Sequence, residues 1–189
     1  MKKALAAVAA LILAAGTVSA QGVKPKVILL VSEQNIGVVQ RAWWAGEVDL
    51  SATEAVIAQK LIEAGYEVVD PASVAKVIRQ DKAFRVVNIP EAQAVTLAKA
   101  GGAGYIVAGK AVASQGQNVP QSNMRSYYAV ITAKLIRAKD GKVIAYLTEQ
   151  GSSAHMEAVA GGTEALNAAA QKLAQQILAA MAKDTGAAP

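Results

Sequence analysis

The feature that most constrains this chain is the block from residue 105 to about 153, in which β-branched and aromatic residues recur at period two. That period belongs to strands, and three fit the block: residues 105–114, 124–138 and 142–150. In the middle one Tyr127, Ala129, Ile131, Ala133 and Leu135 share a face, while Thr132 and Lys134 lie on the other. The alternation predicts one face packed on helices and one partly wet. Asp140-Gly141 predicts a type I′ hairpin turn, whose two central residues both need positive φ. The polar segment 115–123, QGQNVPQSN, reads as a flexible hairpin loop.

Ahead of this block the periods are mixed. Residues 26–32, KVILLVS, form an apolar run long enough for a buried strand and too short for a helix. Residues 33–50 read as a loop, broken by Asn35, Gly37, Gly46 and Asp49. Ser51 and Glu54 then make a capping box that opens a helix with Ala55, Ala58, Leu61 and Ile62 as its apolar stripe. YEVVD at 66–70 reads as a second strand ended by Pro71, and 72–80 as a short helix carrying Val74, Val77 and Ile78. A helix over 91–100 stops at Gly101-Gly102, and a long one over 163–183 carries Leu166, Ala170, Leu173, Ile177 and Met181 on one stripe. The order β-α-β-α-α-β-β-β-α predicts a single α/β domain, a mixed sheet of about five strands with helices packed on it.

Residues 1–20 fit a secretory signal peptide: Lys2 and Lys3, an apolar stretch from Ala4 to Ala15, and the small-x-small end Val18-Ser19-Ala20. The stretch falls short of the roughly 20 residues that span a bilayer, so no transmembrane anchor is expected after cleavage. The domain then covers 21–183, with 184–189 as a frayed tail. Removing Lys2 and Lys3 lowers the formal net charge from +5 to +3. Without a Lys/Arg run, that leaves no electrostatic footprint for nucleic acid. The chain has no cysteine, which excludes disulfides, thiolate metal sites and a lipidated N-terminal Cys within it.

Chemistry-bearing residues are sparse. His155 is the only histidine and has no HExxH, second imidazole or clustered carboxylates beside it, so a solvated or hydrogen-bonded loop histidine is expected. Gly101-Gly102 and Gly161-Gly162 lack the phosphate-loop arrangement and are read as capping and chain reversal. Asp49, Asp70, Asp81 and Glu91 show no spacing that pairs two of them for acid-base work. No catalytic, metal or cofactor residue is assigned, no cofactor is expected, and the chain is read as not an enzyme. Trp43 and Trp44, beside Arg41, stand out as anchors for a partner or a sugar ring; equally, one indole would cover the open end of the core.

GYEVVD at 65–70 after the capped helix, AGYIVAG at 103–109, and the hairpin SYYAVITAKLIRAKDGKVIAYLTEQGSSA followed by Gly161-Gly162 and an Ala-rich helix together carry a family resemblance. They resemble exported bacterial envelope-assembly proteins of the CsgG, LpoB, FlgT middle domain and TolB N-terminal-domain group, over residues 27–178. The resemblance implies a non-enzymatic α/β domain that binds other envelope proteins in secretion, cell-wall or flagellar assembly. Peptidoglycan and outer-membrane components are further candidate partners. Lacking a lipobox cysteine, the protein is expected to be periplasmic, soluble and not a lipoprotein. Arg41, Trp43, Trp44, Gln117 and Asn118 are the expected partner-binding residues. The alternative function is a periplasmic module that binds a cell-wall glycan or small solute through Trp43 and Trp44.

Overall fold

The computed structural model describes residues 24–36, 38–41, 50–70, 73–74 and 90–186. In chain order these form β1 (Lys26–Asn35), β2 (Val38–Arg41), α1 (Ala52–Glu63), α2 (Glu91–Gly101), β3 (Ala103–Asn118), β4 (Arg125–Arg137), β5 (Val143–His155) and α3 (Ala158–Thr185). The sheet order is β2-β1-β3-β4-β5. β1 and β3 are parallel and every other neighbouring pair is antiparallel, so the sheet is mixed as the element order predicts. The expected signal peptide, the stretch 81–89 and most of the expected helix at 72–80 lie outside the described residues.

Two expectations about strands change. The segment 33–50 was expected to be a loop, yet its first part extends β1 and then turns back as β2, with Asn35 opposite Val38. The run 66–70 was expected to be a full strand, yet it makes one parallel bridge, Val68 to Val27, closed by Val27 N–H to Glu67 O at 2.8 Å and Val69 N–H to Val27 O at 2.9 Å. Both follow from one shared edge. β2 pairs with the last residues of β1, and the 67–69 segment meets only its beginning.

The capping box of α1 forms as expected: Glu54 N–H donates to Ser51 Oγ at 3.1 Å, and Ser51 N–H donates to Glu54 Oε2 at 3.0 Å. Glu54 Oε1 also accepts from Val31 N–H at 2.8 Å, which ties the helix start to β1. That bond turns Glu54 inward. The buried stripe is therefore Thr53, Glu54, Ile57, Ala58 and Leu61, while Ile62 and Ala55, expected inside, are exposed. Gly102 ends α2 in the left-handed conformation, with φ 63°.

The face bearing Tyr127, Ala129, Ile131, Ala133 and Leu135 is buried throughout, against α1 and α3. Leu166, Ala170, Leu173, Ile177 and Met181 of α3 are likewise fully buried. A smaller cluster on the other face, including Ile28, Leu30, Leu97, Ile106 and Ile136, places α2 over one end of the sheet only.

α3 begins five residues before its expected start, so Gly161 and Gly162 are helical and not a linker. The reason is closeness. A Cβ on Gly161 would sit 2.8 Å from Tyr127 Cγ and nearer still to the ring edge, and one on Gly162 would sit 2.9 Å from Asn35 Cγ. Further along α3, a Cβ on Gly151 of β5 would lie 2.7 Å from Ala169 N. Glycines on both elements let α3 lie directly on the sheet. No described helix is long and apolar enough to cross a membrane.

Candidate functional site

Past Val112, its pairing partner for Gln34, β3 leaves β1 behind and continues to Asn118 beside β4. The segment 115–123 is thus largely strand and ordered turn, where a flexible loop was expected. Val119 N–H donates to Met124 O at 2.9 Å, and Met124 N–H to Ser122 Oγ at 3.2 Å, closing the tip. Gln117 and Asn118 are exposed at the end of β3, with Asn118 opposite Arg125. Arg41 ends β2 opposite Glu33 on the far edge of the sheet. Its side chain, Trp43 and Trp44 lie outside the described residues, as do Asp49 and Asp81.

On β4 the residues between the buried ones face away from α3. Tyr128 is 52% exposed and Val130 41%, and Tyr146, opposite Lys134 on β5, is 81% exposed. Tyr128 lies against Gly116, where a Cβ would come within 2.5 Å of the ring. Met124 and Met156 flank the last paired residues, Arg125 and His155, and Met156 is 70% exposed. Together these residues give the hairpin end and the outer sheet face an apolar and aromatic surface among the described residues. Tyr128, Val130 and Tyr146 are not among the residues expected to bind a partner, although a Tyr and a Val at wet positions of the period are a signal that the sequence carries.

His155 is not in a loop but ends β5, and its Nδ1 accepts from Glu157 N–H at 2.9 Å. The carbonyl of Asp70 accepts from Ser73 N–H and Oγ. No group of His, Asp and Glu suited to a metal occurs among the described residues.

At the opposite end of the sheet, Arg137 closes β4. Its Nη2 donates to Asp140 Oδ2 at 2.7 Å and its Nη1 to Asp184 Oδ1 at 2.6 Å. Tyr105 OH donates to Asp184 Oδ2 at 2.9 Å. Asp184, expected in a frayed tail, is therefore in the last turn of α3 and pinned to β4. The Arg137 guanidinium, helped by the Lys142 amide, holds the Asp140 carboxyl down at about 2. Burial, reinforced by Asp184, pushes the Tyr105 hydroxyl up to about 12. The β4–β5 turn differs from type I′: Arg137 N–H donates to Lys142 O at 2.9 Å and Gly141 N–H to Arg137 O at 2.9 Å, so four residues and not two make the loop, and only Gly141 has positive φ, 73°. Beside this knot opens a cleft of about 530 Å³ between Lys99 and Lys139.

No family model and no curated protein matches the chain. Solved structures do. It is similar to lipoprotein GNA1162 from Neisseria meningitidis, at 14% identity and TM-score 0.42, over 86% of this chain and 98% of that one. A minor lipoprotein from Acinetobacter baumannii matches at 11% identity and TM-score 0.43, over 86% and 96%. The LpoB C-terminal domain from Salmonella enterica matches at 14% and 0.39, over 72% and 87%. LpoB is thus met among solved structures, while the CsgG, FlgT and TolB parts of the resemblance rest on sequence motifs alone. One expectation is corrected: three of the similar structures are named as lipoproteins, so the chain is no longer set apart as "not a lipoprotein". The missing cysteine had carried that exclusion, and it is not retained.

Proposed function

We propose that this protein is an exported accessory protein of the bacterial envelope that works by binding other proteins and catalyses no reaction. The observation that carries the reading is the outer sheet face, where Tyr128, Val130 and Tyr146 stand exposed on a rigid sheet. Large, stiff aromatic side chains lose little entropy on binding, and those with a polar tip suit an interface that is dry at its centre and wet at its rim. The hairpin end, with Gln117, Asn118, Met124 and Met156, extends this surface.

The test is affinity capture from solubilised envelope, comparing the wild-type protein with a Tyr128→Ser, Val130→Ser, Tyr146→Ser variant. A protein partner retained by the wild type and lost by a variant that melts at the same temperature supports the reading. Identical capture by both removes the sheet face from it.

A further inference from the structure

The end of the domain at which α2 and α3 terminate collects ammonium groups. Lys99 lies in the last turn of α2, Lys183 in the last turn of α3, and Lys139 and Lys142 flank the turn between β4 and β5. All four are exposed, and among the described residues their ammonium groups donate no hydrogen bond; Lys142 meets Asp140 through its backbone N–H, and Lys139 acts on Asp140 only through space. The neighbouring acids are already engaged: Asp140 and Asp184 by Arg137, Glu67 by Lys26 and Glu63 by Lys60. Cations at helix C-termini complement the helix dipole, which accounts for Lys99 and Lys183. It does not account for Lys139 and Lys142, which sit on a hairpin turn. Positive charge is left over at this end.

The space between the charges is apolar. The cleft between Lys99 and Lys139 is floored by Pro25, Ala98, Ala103 and Ala138, and the Arg137–Asp184 pair separates it from a second groove of about 470 Å³ rimmed by Lys142 and Lys183. A cationic rim over a small-residue floor matches a ligand that is anionic at its head and apolar behind it.

We propose that this end of the fold docks on an anionic phospholipid surface, with a glycerol-phosphate headgroup entering the cleft between Lys99 and Lys139. The four ammonium groups act together: near an anionic membrane each strengthens partitioning about fivefold. The attraction falls as salt shortens the screening length. The surface is distinct from the outer sheet face, so the inference stands apart from the protein-binding reading.

The experiment is vesicle cosedimentation of the exported protein, using vesicles of equal parts phosphatidylglycerol and phosphatidylcholine and vesicles of phosphatidylcholine alone. The wild type is expected to bind the anionic vesicles only, and a Lys99→Gln, Lys139→Gln, Lys142→Gln, Lys183→Gln variant to bind them about six hundredfold more weakly. A Lys110→Gln, Arg125→Gln variant, which removes two exposed cations elsewhere, is expected to keep most of the binding. Thermal melts confirm that both variants are folded. Equal binding by the four-lysine variant, or equal binding to uncharged vesicles, overturns the proposal. So does a loss as large in the two-residue control, which would mean unspecific attraction. Saturable binding of soluble glycerol phosphate without vesicle binding also overturns it, because the cleft would then serve a free phosphoester.

Discussion

At the scale of single residues, Gly161 and Gly162 set how closely α3 approaches the sheet. Alanine in a helix normally gains about 1 kcal/mol over glycine. Here the added methyl would enter the Tyr127 ring or the Asn35 side chain, both buried and fixed. Overpacking wins, so Gly161→Ala and Gly162→Ala are each expected to lower stability by about 1–3 kcal/mol in denaturant unfolding. Arg137 acts differently, as a clamp on two acids. With the Asp140 carboxyl held at about 2 in the folded chain against an ordinary 3.8, its contribution is present above 3.8 and is lost as pH falls through about 2. Tyr105 works at the other extreme: its contribution is present below 10 and is lost as pH rises through about 12. Melting temperatures against pH should show both declines, with Asp140→Asn flattening the acid one and Tyr105→Phe the alkaline one.

At the scale of elements, the join between β1 and α1 rests on two buried carboxylates: Glu33, which accepts from Thr53 N–H at 2.8 Å, and Glu54. Glu54 is fully buried and accepts from Ser51 N–H and Val31 N–H, so Glu54→Ala leaves two buried donors without their partner. The expected loss is about 3 kcal/mol, with Glu54→Gln intermediate because one acceptor oxygen remains, both read from unfolding curves. This bond also shows where sequence reading stopped. The Ser51–Glu54 capping box was visible in four residues, because capping is local. The rotation that buries Ile57 and exposes Ile62 was not, because it depends on Val31, far away in the chain. The alternation in β4 was fully legible for the same local reason, down to each buried residue from Tyr127 to Leu135. Gly161-Gly162 misled: a glycine pair reads as a break until the sheet it must lie against is known. β2 and the 66–70 segment were misjudged because each is defined by how much of the β1 edge it obtains.

At the scale of the whole molecule, the sheet is covered unevenly. α1 and α3 bury one face, α2 buries one end of the other, and the remainder carries Tyr128, Val130 and Tyr146. The partner-binding residues expected from sequence are divided by this architecture. Gln117 and Asn118 fall on the β3–β4 hairpin, Arg41 ends the edge strand β2, and Trp43 and Trp44 lie outside the described residues. The exposed sheet face was the less legible surface, since a wet-side tyrosine draws attention only once its neighbours leave it uncovered. The central claim is that this face binds a protein, and Tyr146, the most exposed of the three, tests it most directly. Titrating the captured partner into wild-type and Tyr146→Ala protein by calorimetry should show affinity falling about thirtyfold, as for a truncated aromatic anchor, with the melting temperature unchanged. Equal affinities for the two proteins would contradict the account.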